Sequence, residues 1–232
     1  ITNLPSVAVG LLTRMRESKS QKKERTEQII KLLKRAHPDA HCALNHSNAF
    51  ELLVATILSA QCTDKRVNLV TAELFKKFKT ANDFASAPLA EIEDAVKSTG
   101  FFRNKSKSVV GAAKRIVSEF GGQIPDDMDR LLTLPGVARK TANVVLGTWF
   151  KKGVGIVVDT HVTRLANRLG LTKQTDAEKI EQELMPLVPR EQWTLFSHWL
   201  IWHGRRRCAA RKPECGACEL AKLCPRVGVP NP

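Results

Sequence analysis

The sequence predicts an all-α fold on three observations. Apolar residues recur at three- and four-residue spacing through most of the chain, as at Ile29, Ile30 and Leu33. The connections between these segments are short and contain Gly or Pro, which interrupt helices. The one stretch with strand character, residues 154–158, is too short and isolated to found a sheet. We therefore expect a compact array of helices.

The hydrophobic periodicity places ten helices along the chain. The predicted ranges are 27–35, 49–60, 65–78, 89–99, 106–120, 128–132, 140–149, 160–169, 177–184 and 191–202. The helix at 49 follows three residues that can cap it, Asn45, Ser47 and Asn48. Residues 18–25 (SKSQKKER) are polar and basic, and we expect them to form a mobile arm.

The charge balance points to a polyanionic partner. The 232 residues contain 37 Lys and Arg against 23 Asp and Glu, a net charge of +14. The excess lies in residues 1–41, 97–140 and 203–232, which each carry a net charge of +5. Such regions favour nucleic acid over an anionic membrane, and the alternative is a solubilising surface. No segment has the run of about eighteen apolar residues that spans a bilayer.

Four of the six cysteines lie close together near the end of the sequence. They are Cys208, Cys215, Cys218 and Cys224, with gaps of six, two and five residues. Disulfides are disfavoured because residues 1–12 lack the basic start and cleavage site of a secretory signal. A tetrahedral zinc site and an iron–sulfur cluster both suit four thiolates, and the residues alone leave these two open.

Residues 132–142 (LTLPGVARKTA) predict a helix–hairpin–helix. A short apolar helix runs into a Pro-Gly turn, and a second helix follows. The turn lies at a helix N-terminus, where backbone N–H groups can bind a phosphate, and Gly136 permits close approach. An ordinary corner between two helices has similar chemistry.

Lys140 and Asp159 are the candidate catalytic residues. Lys140 lies in the first turn of the second hairpin helix, where a neutral amine would be a nucleophile. The alternative is a surface lysine that contacts phosphate. Asp159 follows the apolar residues 156–158 and precedes a predicted helix. It can cap that helix, act as a catalytic carboxylate, or do both.

Together these features resemble the endonuclease III family of DNA glycosylases. The hairpin LPGVARKTANVVL (134–146), the segment VDTHV (158–162) and the cysteine spacing are similar to motifs of that family. A fourth segment, LSAQCTD (58–64), resembles its LSAQ-x-TD motif. The four motifs extend over about residues 27–226, which is nearly the whole chain.

The resemblance implies two helical domains that flank a DNA-binding cleft. A six-helix barrel domain would comprise residues 42–153, with the helix–hairpin–helix at 128–147. Residues 24–41 and 154–232 would form the second domain, which holds a [4Fe–4S] cluster, and residues 1–23 would be a flexible basic arm. The resemblance thus favours iron over zinc.

The resemblance also implies roles for individual residues. Lys140 would be the nucleophile, Asp159 the assisting carboxylate, and the four clustered cysteines the ligands of iron. The implied DNA-binding residues are Gln61, Thr99, Phe101, Leu134, Gly136, Ala138, Arg139 and His161. Two positions depart from the family: Ala138 replaces a second hairpin glycine, and Phe101 replaces an aliphatic wedge.

The implied activity is excision of oxidised pyrimidines from double-stranded DNA, followed by cleavage at the abasic site. The enzyme would act as a monomer inside a cell, in the cytoplasm or nucleoid of a bacterium. One alternative is a monofunctional glycosylase that removes adenine or mismatched thymine, although those branches lack a lysine at position 140. A second alternative is a non-catalytic DNA-binding module with a structural metal.

Overall fold

A computed structural model describes residues 17–229, whose regular structure is entirely helical. The α-helices are α1 (Lys19–Ala36), α2 (Ala49–Leu58), α3 (Asp64–Lys77), α4 (Ala81–Ser86), α5 (Leu89–Val96), α6 (Phe102–Phe120), α7 (Met128–Leu132), α8 (Arg139–Thr148), α9 (Thr160–Arg168), α10 (Ala177–Leu184) and α11 (Trp193–Arg206). The all-α prediction is confirmed. None of the helices in this part of the chain has the length and hydropathy needed to cross a bilayer.

The predicted helix boundaries agree with the observed ones to within four residues, except at α1. Helix α2 begins after Asn48, whose side chain accepts a hydrogen bond from the Glu51 amide, as the capping pattern predicts. Helix α4 is not among the predicted helices, and only two of its six residues, Ala81 and Phe84, are buried. It is stabilised by a capping box in which Thr80 and Asp83 each accept the other's backbone amide.

The prediction of a mobile arm at residues 18–25 is wrong. Ser18 caps α1 in a capping box with Gln21, so the helix begins at Lys19. Arg25 anchors this helix by donating to the carbonyl oxygens of Leu169 and Leu223, at 2.8 and 3.2 Å. The earlier part of the predicted arm, residues 1–16, lies outside the described residues.

The buried apolar side chains form two separate cores. The first core is built from α2 to α8 and includes the fully buried Leu52, Phe84 and Leu146. The second core combines α1 with α9, α10 and α11, and it includes Ile29 and Phe196. The second core is thus made from sequence on both sides of the first.

The site described below lies where the two cores meet. The buried face of α8 belongs to the first core, and the buried face of α9 belongs to the second. An ion pair between Asp64 of α3 and Arg205 of α11 joins the two sides at 2.5 Å. The N-termini of α8 and α9 therefore open onto one shared space.

Candidate active site and cysteine cluster

An open groove of about 620 Å³ holds both predicted catalytic side chains and two of the predicted DNA-binding ones. Lys140, Asp159, Gln61 and His161 all line it, together with Arg205. Lys140 and Asp159 are nineteen positions apart in the sequence, and each belongs to a helix of a different core. We call this space the catalytic groove.

Lys140 is exposed in the first turn of α8. Its neighbour Arg139 turns away and donates to the Glu181 carboxylate, at 2.7 and 3.1 Å. Glu181 is 4 % exposed and also accepts from Asn143 at 2.9 Å. This buried carboxylate fixes the start of α8, and it engages the guanidinium that was predicted to bind DNA.

Asp159 is the N-cap of α9. Its Oδ1 accepts the backbone amide of Val162 at 2.8 Å, which confirms the capping role. The same side chain lines the catalytic groove, so capping and a chemical role are compatible. Because the cap fixes the side chain, the carboxylate is held rigidly beside the groove.

A smaller recess of about 100 Å³ continues from the catalytic groove into the space between the cores. Lys140 and Asp159 line it too, and His198 and Trp202 of α11 form part of its wall. Burial, the largest cause, lowers the pKa of His198 to about 4. This inner recess therefore has a neutral imidazole and an indole among its lining groups.

The hairpin turn presents free backbone donors. The amide of Leu134 is already used, because it donates to the Leu131 carbonyl at 3.1 Å. The amides of Gly136 and Ala138 have no acceptor among residues 17–229. Two of the three predicted hairpin residues can therefore bind a phosphate through N–H groups, whereas Leu134 is buried and contributes to the first core.

The two hairpin positions have different backbone requirements. Gly136 has a φ of +76°, and a Cβ there would lie 2.5 Å from the Cβ of Ser108 in α6, so a glycine is needed. Ala138 has a φ of −93° and an extended backbone, which any residue can adopt. The departure from the family at Ala138 therefore introduces no strain.

Gln61 and Phe101 face a common hollow of about 250 Å³, which Gly136 also lines. Both have a left-handed backbone, with φ of 50° and 48°, which is uncommon for residues other than glycine. Phe101 is 66 % exposed despite its large apolar ring. Strained backbone and an exposed aromatic ring are typical of a binding element.

Thr99 does not reach the hollow. It is 2 % exposed, and its hydroxyl donates to the Val96 carbonyl at 2.8 Å. Its own carbonyl accepts from Lys105 Nζ at 2.7 Å. Thr99 therefore stabilises the turn that carries Phe101, and its side chain is not exposed where DNA could contact it directly.

Sequence reasoning missed two buried charged residues that support the site, Lys105 and Glu181. Lys105 holds the Phe101 turn, and burial lowers the pKa of its ammonium. A signal was present, since Lys105 occupies the apolar stripe of α6 four residues before Val109. For Glu181 the corresponding signal is its position next to the buried Ile180 in α10.

The four clustered cysteines line one largely apolar cavity. All four are free thiols, which excludes disulfides between them in this structure. N–H groups point at three of the sulfur atoms. Arg168 Nη1 donates to Cys208 at 3.2 Å, and the Leu220 and Arg226 amides donate to Cys218 and Cys224 at 3.4 Å.

The chemistry of this cavity fits a bound metal. Four thiols line the cavity, and the N–H groups that point at three of the sulfur atoms would stabilise thiolate ligands. Burial raises the pKa of the Cys218 and Cys224 thiols, so a bound cation is needed to hold them as thiolates. His203, Cys218 and Glu219 bring one ligand atom each within 4.8 Å of one another. The described residues contain no comparable group of three clustered thiols. A single tetrahedral ion would hold its sulfur atoms about 4 Å apart.

Most arginines near the cysteines are engaged within the protein. Arg205, Arg206 and Arg207 pair with acidic side chains of Asp64, Asp39 and Glu214. The buried Arg168 donates to the carbonyl oxygens of Ala209 and Ala210. Much of the positive charge near the cysteines is therefore used within the protein. Arg168 and Arg207 stabilise residues 207–229, the loop that carries the four cysteines and is called the ligand loop below.

Comparison with known proteins identifies close relatives. A family model described as HhH-GPD superfamily base excision DNA repair protein matches residues 54–190. Endonuclease III of Synechocystis sp. is 55 % identical over 206 residues, covering 89 % of this chain and 94 % of that protein.

Two solved structures are similar over most of their length. A non-covalent endonuclease III–DNA complex is 42 % identical with a TM-score of 0.84, covering 88 % of this chain and 95 % of that one. A trapped endonuclease III–DNA covalent intermediate is 41 % identical with the same TM-score, covering 88 % and 96 %.

Proposed function

The chain belongs to the endonuclease III family of HhH-GPD base excision DNA repair proteins, and on that premise we propose that it is a bifunctional DNA glycosylase and abasic-site lyase. Its substrates are oxidised pyrimidines in double-stranded DNA. One observation carries the proposal: Lys140 and Asp159, supplied by different cores, line the same groove. A relative trapped as a covalent intermediate with DNA supports a nucleophilic mechanism. Because the relatives are bacterial, we place its action in a bacterial cell.

DNA binding begins at the hairpin. The unpaired amides of Gly136 and Ala138 bind a phosphate beside the lesion, and the N-terminus of α8 adds its positive end. This contact is independent of base sequence, so it positions the strand without selecting a target. Exposed cations strengthen it in a salt-dependent way.

The damaged nucleotide must leave the base stack, because the atom to be attacked is inaccessible in a duplex. Gln61 and Phe101 stand on the same hollow and fill the vacated space. Their contacts offset an unstacking cost of a few kcal/mol. Turned out in this way, the base can enter the inner recess next to Lys140.

The chemical step starts from the neutral amine of Lys140. Its nitrogen lone pair attacks the sugar C1′, and the N-glycosidic bond breaks as the base leaves with the bonding electrons. Asp159 stabilises the positive charge that develops on the sugar and accepts a proton from the attacking nitrogen. Asp159 then returns this proton to O4′, the C1′–O4′ bond breaks, and the ring opens to a protonated Schiff base between Lys140 and C1′.

The Schiff base makes the second reaction possible. It withdraws electrons from C2′, which loses a proton, and the C3′–O bond breaks with departure of the 3′ phosphate. Strand cleavage is thus an elimination. Water then releases the sugar fragment from Lys140.

We propose a [4Fe–4S] cluster as the group held by Cys208, Cys215, Cys218 and Cys224. Thiols that surround a cavity without closing on one point suit a cluster of several atoms better than one zinc ion. When bound, the cluster supplies four Fe–S bonds that tie the ligand loop together. The two cores then correspond to a barrel domain of residues 42–153 and a cluster domain that begins with α1 at Lys19, continues to residue 41 and resumes at residue 154.

Borohydride trapping on a panel of lesions tests the mechanism. Wild-type protein should form a covalent adduct with DNA that contains an oxidised pyrimidine or an abasic site. Lys140→Ala should reduce trapping by at least about a thousandfold, as expected for a lost nucleophile. Lys173→Ala, an exposed lysine outside the groove, is the matched control and should trap normally.

Asp159→Asn separates capping from chemistry. Asn caps a helix as well as Asp, so stability should be retained while base release falls about 10²- to 10⁴-fold. Base release by wild type without a trapped adduct would support a monofunctional glycosylase. DNA binding with neither activity would support a non-catalytic module.

The absorbance spectrum tests the identity of the metal. A broad absorbance at about 400 nm would indicate an iron–sulfur cluster, because a zinc site is colourless.

A further inference from the structure

A line of three side chains leads from the cysteine cluster to the end of α1. His203 of α11 is 1 % exposed, and its Nε2 lies 3.4 Å from the Sγ of Cys218. Its Nδ1 lies 3.0 Å from the Nε2 of His37, the residue that follows α1. The Nδ1 of His37 is buried and has no hydrogen-bond partner among the described residues. The line therefore ends at an unpartnered nitrogen.

We propose that this line is a hydrogen-bond relay that tunes the iron–sulfur cluster: His203 donates its Nε2–H to the Cys218 thiolate, and His37 holds His203 in the tautomer that can donate. The inference rests on the cluster proposed above. Neither histidine is a ligand of iron in it. Both are positioning residues that act through Cys218.

The direction of the relay follows from the number of protons. A thiolate bound to iron only accepts, so the Nε2 of His203 must carry hydrogen. A neutral imidazole has one N–H, and burial disfavours the charged ring. The Nδ1 of His203 is therefore an acceptor, and the Nε2 of His37 must donate to it. The remaining bare nitrogen is the Nδ1 of His37, which is the atom found without a partner.

The reverse direction is unfavourable. If His203 donated from Nδ1 to His37, its bare Nε2 would face a thiolate at 3.4 Å, and two lone pairs would repel each other. Glu219 is the nearest carboxylate, with Oε2 3.9 Å from the Nδ1 of His203. That distance exceeds a hydrogen bond, and Glu219 is engaged by Arg207 at 3.2 Å.

Cys218 thus receives two N–H groups, one from the Leu220 backbone and one from His203. Hydrogen bonds to cluster sulfur atoms stabilise the more negative, reduced state and raise the reduction potential. The backbone donor cannot be removed by a side-chain substitution. The histidine donor can be, so its contribution is measurable.

The test is a spectroelectrochemical measurement of the cluster potential in iron-loaded protein. His203→Leu should shift the potential to more negative values. His37→Leu should produce a smaller shift in the same direction, because both tautomers of His203 are then populated and only one of them donates to Cys218. His37→Gln places an N–H at a comparable reach and should restore the wild-type value. His46→Leu, a substitution at the first core, is the matched control and should leave the potential unchanged.

The outcomes separate this proposal from the one it rests on. Wild-type protein without iron would overturn both the cluster and the relay. Iron-loaded His203→Leu with the wild-type potential would overturn the relay alone. If His203→Leu does not fold, the potentials of His37→Leu and His37→Gln are compared instead. Equal potentials in these two variants would also overturn the relay.

Discussion

The two cores are held together by different means. The first core buries a continuous set of aliphatic and aromatic side chains, and the rings of Phe50, Phe78 and Phe84 pack against one another. The second core has an apolar centre of its own, but arginines bind the loop beside it. Arg25, Arg164 and Arg168 all donate to backbone carbonyl oxygens on or around that loop.

The first core is ordered by its own apolar packing, whereas the loop beside the second core is ordered by bonds to other groups. Apolar burial is non-directional and needs no added group, so the first core is stabilised by its own sequence. The ligand loop has little regular structure, with only a short 3₁₀ turn at Cys215–Ala217. Its order depends on directional bonds from arginine and on whatever the four thiols bind. We therefore expect the second core to respond to loss of iron and the first core not to.

Removal of a cluster ligand should have the largest effect. Cys215→Ala should abolish iron binding and, since a structural metal contributes on the order of 10 kcal/mol to folding, disorder the ligand loop. Hydrogen exchange should show lost protection in α11 and residues 207–229, with α2 to α6 still protected. Cys62→Ala is the control and should retain iron. Equal loss of protection in both cores would contradict the comparison.

Arg168→Met should come next. Arg168 is 7 % exposed and donates to Cys208 Sγ and to two carbonyl oxygens, so its loss leaves three acceptors without this donor. The expected cost is about 3–5 kcal/mol by urea unfolding, with faster iron release. Arg35→Met, at an exposed position of α1, should change stability by no more than about 0.5 kcal/mol.

A matched pair of leucines sharpens the comparison further. Leu146 in the first core and Leu200 in the second are both fully buried. Leu146→Ala and Leu200→Ala should each cost about 2–5 kcal/mol, because each leaves a cavity. Only Leu200→Ala should accelerate iron release, as followed by the loss of the cluster absorbance. Similar release rates in the two variants would show that the cores are coupled more tightly than their packing indicates.

The smallest expected effect is a pH dependence that arises at His198. Burial lowers its folded pKa from the ordinary 6.5 to about 4, with His41, Lys151 and Arg205 lowering it further and Asp159 opposing. The unfolded chain therefore binds more protons between these values, so stability should fall as pH drops from about 6.5 to about 4. The slope from one histidine is at most about 1.4 kcal/mol per pH unit. Chemical unfolding across this range should show a shallower slope in His198→Gln.

Sequence reasoning found the features that depend on local pattern. Helix periods, the Asn48 and Asp159 caps and the hairpin all follow from neighbours in the sequence. The residues that needed tertiary information were missed or misjudged. Arg25 was assigned to a mobile arm because its carbonyl partners lie more than 140 residues away. The ion pair of Arg139 with Glu181 was missed because Glu181 belongs to a distant helix, while the predicted DNA contact of Arg139 stays a prediction.

The site shows the same division. Lys140, Asp159 and the cysteines stand in short motifs, and the structure places Lys140 and Asp159 on one groove and the four cysteines on one cavity. Leu134 lies in the hairpin motif but is buried, because a motif identifies a segment and not the direction of each side chain. His203 and His37 form a contact only in three dimensions, and no pattern links them.

The nesting of the two cores also sets an order of events during synthesis. Helix α1 leaves the ribosome before the first core, yet its packing partners α9 to α11 are translated only after that core is complete. At about 5–20 residues per second, α1 waits on the order of ten seconds for them. Lys140 likewise emerges before Asp159 and before every cysteine of the cluster. On the proposed mechanism, a nascent chain holds the nucleophile without its partner carboxylate, and strand cleavage requires the last helices to pack against the first.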